Sequence, residues 1–179
     1  MNIAIISGSA RPERQSHQVA LHIAGKLNDL QVRNWVFDVK ELNLPMLDYL
    51  YSKHPAPSET LIQLKKQLDA TDGFIVVSPE HNGSYPGTLK NSMDYFLEEY
   101  AHKPFAIVTV SSGMFGGINV LKNLQQYLVK LNGILMPEFI LTPQVQKLFS
   151  DQKLQDDDYA KRVDQFLNDF ILFSDLNQP

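Results

Sequence analysis

Apolar runs bounded by turn residues recur five times along the chain, at positions 3–6, 32–38, 74–78, 105–111 and 134–141. Several are rich in valine and isoleucine, whose branched side chains suit a pleated surface, so each predicts a strand. The segments between them carry helical spacing. Val19, Ile23 and Leu27 share one face, and Leu61, Leu64 and Leu68 another, behind the N-cap candidate Ser58. Leu89, Met93, Phe96, Leu97 and Tyr100 predict a third helical face, and Leu121, Leu124, Leu128 and Leu131 a fourth. Near the end, Asp156-Asp157-Asp158 precedes Val163, Phe166, Phe170 and Phe173 at helical spacing. This predicts a helix over about 156–173 docked on the sheet, with carboxylates in its first turn, where the helix dipole favours them.

Strands that alternate with helices and are almost continuously apolar imply a parallel sheet covered on both faces, because a right-handed crossover needs a helix to return the chain. The fold class is therefore α/β, doubly wound. The link over 41–57 contains three prolines and reads as an ordered excursion, whose Met46, Leu47, Tyr49 and Leu50 either cover a neighbouring surface or join the core. No internal repeat, low-complexity tract or linker divides the chain, so residues 1–179 are expected to form a single domain.

Composition narrows the chemistry. The chain has no cysteine, which excludes disulfides, thiolate nucleophiles and cysteine-ligated metal. Its five histidines show no HExxH pattern, and no metal site is assigned. A net charge of −4 lacks the broad basic surface that phosphate-backbone binding requires, so nucleic acid is not an expected partner. No apolar run approaches the ~18 residues of a membrane helix, and no basic segment precedes an apolar one at the start. A cytoplasmic protein without a membrane partner is expected.

In a parallel sheet the loops leaving the carboxyl ends of the strands share one edge, and ligands bind where the strand order reverses. Three loops stand out there: SGSARPERQSH after the first strand, SPEHNGSYPG after the third and SSGMFGG after the fourth. With strand order 2-1-3-4-5 the first two flank the reversal. No glycine-rich dinucleotide fingerprint and no Gly-Lys-Ser/Thr phosphate loop is present, so side chains must supply more of any anion site. Ser9, Arg11, Ser16 and Gln18 can surround an anion that also rests on the amides opening the first helix. On these residues alone, a solvated turn whose serines cap the helix is an equal reading. Arg14 and His17 read as surface residues.

In the third-strand loop, Asn82-Gly83 is by itself a common tight turn and Pro86 a common helix start. Gly83 and Gly87 also let a flat ring approach the backbone, and Asn82 can bond the carbonyls and nitrogens of a heterocycle such as an isoalloxazine. Ser112 and Gly113 can bound the same ring, with Met114 and Phe115 as lid or core residues and Gly116-Gly117 serving the helix entry.

At these residues the chain resembles the NADPH-dependent FMN reductase family, which includes flavodoxin-like quinone, azo and chromate reductases. GSARPERQS is similar to that family's Gly-Ser-x-Arg phosphate loop with its downstream serine, and SPEHNGSYPGTLKNSMDY to its Pro-Glu-Tyr-Asn-Gly-Ser flavin loop and following helix. The second motif is the more specific. The resemblance spans residues 1 to about 141 and implies FMN, a five-stranded flavodoxin-like sheet in the order 2-1-3-4-5, and a homodimer or homotetramer. Carried over by position, Ser9, Arg11, Ser16 and Gln18 would hold phosphate, and Pro79, Glu80, Asn82, Gly83 and Ser84 the ring system. His81 stands in the usual tyrosine place. The implied activity is hydride transfer from NADPH or NADH to FMN and then delivery of electrons to a quinone or similar small-molecule electron acceptor, in ping-pong order. The cofactor carries the difficult step, so no catalytic side chain is assigned. A flavodoxin-like electron carrier and a flavin-free nucleotide-binding module are the alternatives.

Overall fold

The computed structural model describes residues 1–150 and 153–177. The elements follow in the order β1 (Asn2–Ser7), α1 (Gln15–Asp29), β2 (Arg33–Asp38), α2 (Val39–Leu42), α3 (Glu59–Asp69), β3 (Gly73–Pro79), α4 (Gly87–Met93), β4 (Pro104–Val110), α5 (Ile118–Lys130), β5 (Ile134–Thr142), β6 (Phe149–Ser150), β7 (Lys153–Leu154) and α6 (Asp157–Leu176). Strands β1 to β5 form a parallel sheet in the order β2-β1-β3-β4-β5, the flavodoxin-like order expected from the sequence. β6 and β7 are a short antiparallel pair.

The strands are apolar along their length because both sheet faces are covered. Successive side chains of a strand point to opposite faces. Ala4 and Ile6 of β1, with Phe74 and Val76 of β3, pack under α3, α4 and α5. Ile3 and Ile5, with Ile75 and Val77, pack under α1 and α6. Every one of these eight side chains is fully buried, and burial of a large aliphatic side chain contributes about 1.5–3 kcal/mol.

Helix α6 begins where the aspartates predict, with Asp156 accepting a hydrogen bond from the Tyr159 amide (2.8 Å), and runs on to Leu176, past the expected end. Phe170 is buried, whereas Phe173 packs only partly.

The helix expected to carry Leu89 through Tyr100 ends instead at Met93. Beyond it the chain turns, burying Tyr95, Phe96 and Tyr100 and leaving Leu97 46% exposed. A continuous helix would put Leu97 above Met93 on the buried face and swing Tyr95 aside. The competing interactions are tertiary. The Tyr95 hydroxyl donates to the Pro45 carbonyl (3.1 Å), and the Tyr51 amide to the Tyr95 carbonyl (2.7 Å). Asn91 donates to the same Pro45 carbonyl (2.7 Å) and accepts from the Leu47 amide (2.9 Å). The proline-rich excursion is thus pinned to α4. Leu47 packs on the core, while Met46 is 83% and Tyr49 49% exposed.

Parallel register brings Ser7, Asp38, Pro79, Val110 and Thr142 to one edge of the sheet. The three chemistry-bearing loops leave from there.

Candidate functional site

The first loop starts with a close approach. The Gly8 amide donates to the Val77 carbonyl (2.9 Å), and a Cβ at Gly8 would lie 3.0 Å from a Leu89 methyl and 3.2 Å from that carbonyl. Ser9 is buried and its hydroxyl accepts from the Arg11 amide at 3.4 Å. Arg11 is exposed. Helix α1 then opens without a side-chain cap and without an acidic residue in its first turn, so its positive end is left for an external anion. The Ser16 hydroxyl and the Gln18 amide oxygen are buried with no hydrogen-bond partner among the described residues.

Arg14, expected at the surface, is nearly buried, and His17, expected there too, is half-buried. The Arg14 side chain is only 8% exposed, forms a two-pronged ion pair with Asp38 and donates to the Ser9 carbonyl (2.8 Å). His17 Nδ1 lies 3.0 Å from the Ser7 hydroxyl and 3.6 Å from Asp38. Burial, and then the Arg14 guanidinium, push the His17 imidazole below its ordinary value. Burial alone would raise the Asp38 carboxyl, but hydrogen bonds from Arg14 and the Lys40 amide hold it below. Sequence reading passed over this group because its partner sits on another strand. The signal was available: β2 neighbours β1, so the aspartate ending β2 must stand beside the first loop.

The third-strand loop is a tight hairpin turn. His81 and Ser84 exchange two backbone hydrogen bonds (2.8 and 3.1 Å), and the central Asn82 and Gly83 have φ of 51° and 80°, the positive pair that an Asn-Gly turn supplies. A Cβ at Gly83 would meet no protein atom within 4 Å, so the protein itself demands glycine there for its dihedral. Asn123 donates to the Gly83 carbonyl (3.0 Å). The Glu80 carboxylate accepts from the amides of Asn119 (3.2 Å) and Val120 (3.4 Å) and from the Asn119 side chain (3.3 Å), capping α5. Burial, then Arg11, push the His81 imidazole below its ordinary value.

In the fourth-strand loop the Gly113 amide donates to the Ser111 hydroxyl (3.0 Å). Met114 and Phe115 are 78% and 80% exposed, so they are not core. Gly116 and Gly117 have positive φ, and Gly117 is the N-cap of α5, so both serve the helix entry. A Cβ on Gly116 would lie 2.9 Å from that of Leu141.

The three loops enclose one cavity of about 330 Å³. Of the residues expected at the site, Ser9, Arg11, Ser16, Pro79, Glu80, His81 and Ser112 line it, and Glu13 and Arg14 of the first loop line it with them. Of the other residues expected at the site, Gln18, Asn82, Gly83 and Gly113 stand outside this lining, and Ser84 faces a groove of about 690 Å³ with Tyr85 and Tyr127.

A sequence model of NADPH-dependent FMN reductases matches residues 1–147. The chain belongs to the NADPH-dependent FMN reductase family. Relatives of this reductase include an NADPH azoreductase of Bacillus sp. (strain OY1-2), 30% identical over 79% of this chain and 76% of that protein. A quinone reductase of Pseudomonas putida is 29% identical over 99% of this chain and 96% of its own. Among solved structures, a flavoenzyme NAD(P)H:(acceptor) oxidoreductase from Paracoccus denitrificans superposes with a TM-score of 0.83 over 99% of each chain, and at 22% identity it shares the fold.

The reductase's own atoms fit the FMN of its family. A buried hydroxyl without a partner costs about 1–3 kcal/mol, and Ser16, whose hydroxyl has none, lines the cavity beside an uncapped helix start and the Arg11 cation. These are the donors a phosphate needs.

Proposed function

We propose that this reductase is an FMN-dependent NAD(P)H oxidoreductase that passes electrons to quinones or similar small acceptors, with donor and acceptor using one crevice in turn. The observation that carries the reading is the meeting of the first and third loops around one cavity at the reversal of strand order between β1 and β3, with Arg11 and Ser16, whose buried hydroxyl has no partner, in its wall. Ser9, Arg11, Ser16 and Gln18 hold the phosphate end. Pro79, His81, Asn82, Gly83, Ser84, Ser112 and Gly113 hold the ring end, and Glu80 keeps that loop oriented through α5. Bound FMN supplies the hydride chemistry. The chain's own groups bind, orient and shield, which lowers the cost of bringing reactants into line. None of them is asked to shuttle a proton, and His81, kept neutral by burial and Arg11, suits a contact role.

The same reading includes a single FMN-binding domain acting as a homodimer or homotetramer in the cytoplasm. The exposed Met114 and Phe115 beside the site support burial by a second copy, which light scattering tests. Among the described residues no helix is long and apolar enough to cross a membrane.

The mechanistic test mixes anaerobic, flavin-loaded protein with NADH or NADPH, follows loss of the oxidised flavin band, and then adds a quinone. The band should fall without the quinone and return with it, and initial rates should give parallel double-reciprocal lines. Failure of both nicotinamides to reduce the flavin would leave an electron carrier as the better reading.

A further inference from the structure

We propose that Arg14 and Asp38 are positioning residues of the phosphate site: their buried ion pair braces the first loop in its anion-binding shape. The inference rests on the placement of the FMN phosphate proposed above.

Loop 8–14 has no regular secondary structure, yet it must hold Ser9, Arg11 and the start of α1 convergent on one cavity. Arg14, the last residue before α1, lines the same cavity with a side chain only 8% exposed. One guanidinium carries bonds to the Ser9 carbonyl inside the loop (2.8 Å) and to both oxygens of Asp38 at the end of β2. Asp38 is itself held, accepting from the Lys40 amide (2.9 Å), and its side chain is 11% exposed. His17, in the first turn of α1, adds a link from the Ser7 hydroxyl toward Asp38. Glu41 lies 4.0 Å from the far side of Arg14. Loop, helix start and two strand ends thus meet in one buried group.

Two consequences follow from its chemistry. Asp38 neutralises Arg14, so Arg11, which is exposed, remains as the loop's cation for a ligand. And a loop fixed before binding does not have to be ordered by the ligand, which is how preorganisation raises affinity. Only a guanidinium can supply this fork, because lysine carries the same charge as a point without paired, planar donors.

The test compares FMN with riboflavin, the same ring system lacking the phosphate, by fluorescence titration of the apo-protein, with thermal melting alongside. Arg14→Lys and Asp38→Asn should each weaken FMN binding on the order of tenfold while leaving riboflavin binding within about twofold. The double variant should lose little more than either single one, since both break one brace. Wild-type FMN affinity in Arg14→Lys would overturn the proposal, as would tighter FMN binding in Asp38→Asn, which would make Arg14 a cation held away from the anion. Equal losses for FMN and riboflavin would reduce the pair to a general structural role. A measurement on the wild-type chain guards against variants that fail to fold: NMR order parameters of backbone amides 9–14 should match those of α1 in the apo-protein and change little with FMN, whereas a loop that rigidifies only on binding contradicts a preformed shape. Arg11→Ala separates the two layers. If it does not discriminate FMN from riboflavin, the phosphate placement fails; if it does and the Arg14 and Asp38 variants do not, the brace alone fails.

Discussion

The Glu80 carboxylate, at the end of β3, accepts hydrogen bonds from both the backbone and the side-chain amide of Asn119, in the first turn of α5. The tie fastens the turn at 81–84 to a helix 39 residues further along the chain. It also places a negative charge where the α5 dipole is positive.

Glu80→Ala should therefore uncap α5 and loosen the third-strand loop together. A lost N-terminal cap costs about 0.5–2 kcal/mol, which urea unfolding should show. FMN affinity should fall as well. Glu80→Gln, which keeps an acceptor, should recover most of the stability, and a Gln variant as weak as Ala would mean that charge and not geometry holds the loop.

Arg11→Ala removes the proposed phosphate cation from an exposed position in the cavity wall. FMN binding should weaken roughly ten- to hundred-fold, the range for a charged hydrogen bond, with the melting temperature almost unchanged. Unaltered affinity in the folded variant rejects the assignment.

At Gly83 a valine would be a poor probe of ring contact, because φ of +80° strains any branched side chain whatever lies nearby. Asparagine tolerates that dihedral. Gly83→Asn should keep the fold and its melting temperature, yet weaken FMN binding roughly tenfold if the ring passes over this backbone. Normal binding would move the ring elsewhere.

Gly116 makes the contrasting case, since both its φ of +61° and a 2.9 Å approach to Leu141 oppose a side chain. Gly116→Ala should lower the melting temperature by about 2–8 °C. A thermal melt indistinguishable from wild type would show that the α5 entry can relax.

Stability should fall on acidification, and the sign is the same for the three shifted histidines and for Asp38. His17, His22 and His81 have folded values below the ordinary one of about 6.5, so the unfolded chain binds more protons and stability declines as pH drops below that value. Asp38 is also lowered, and its contribution, present above the unfolded value, is lost as pH falls through its folded one. Urea midpoints measured from pH 8 to pH 4 should decrease steadily below about 6.5, and a flat profile would contradict the burial of these imidazoles.

Much of this protein is legible in one dimension. The five apolar runs announce strands because both faces of a parallel sheet are buried, and the helices between them fix the doubly wound class. Asn82-Gly83 predicts its own turn, since few other pairs accept two positive φ values. Asp156 announces its helix because its capping partner, Tyr159, is three residues away. What the linear pattern could not reveal depends on partners distant in sequence. Arg14 reads as a solvated cation until β2 is laid beside β1 and Asp38 arrives 24 residues later to neutralise it. Glu80 stands in the flavin-loop motif by position, but the amides it accepts from arrive only when α5 folds over it. The helix after Gly87 should run to Tyr100 by periodicity, but hydrogen bonds between Tyr95 and the excursion at Pro45 and Tyr51 end it at Met93. Local pattern determined which segments are strand, helix or turn, because those choices rest on burial and dihedrals a few residues wide. The tertiary structure decided which charges are neutralised and which polar atoms stay open to a ligand, because those depend on what folding brings within 3 to 4 Å.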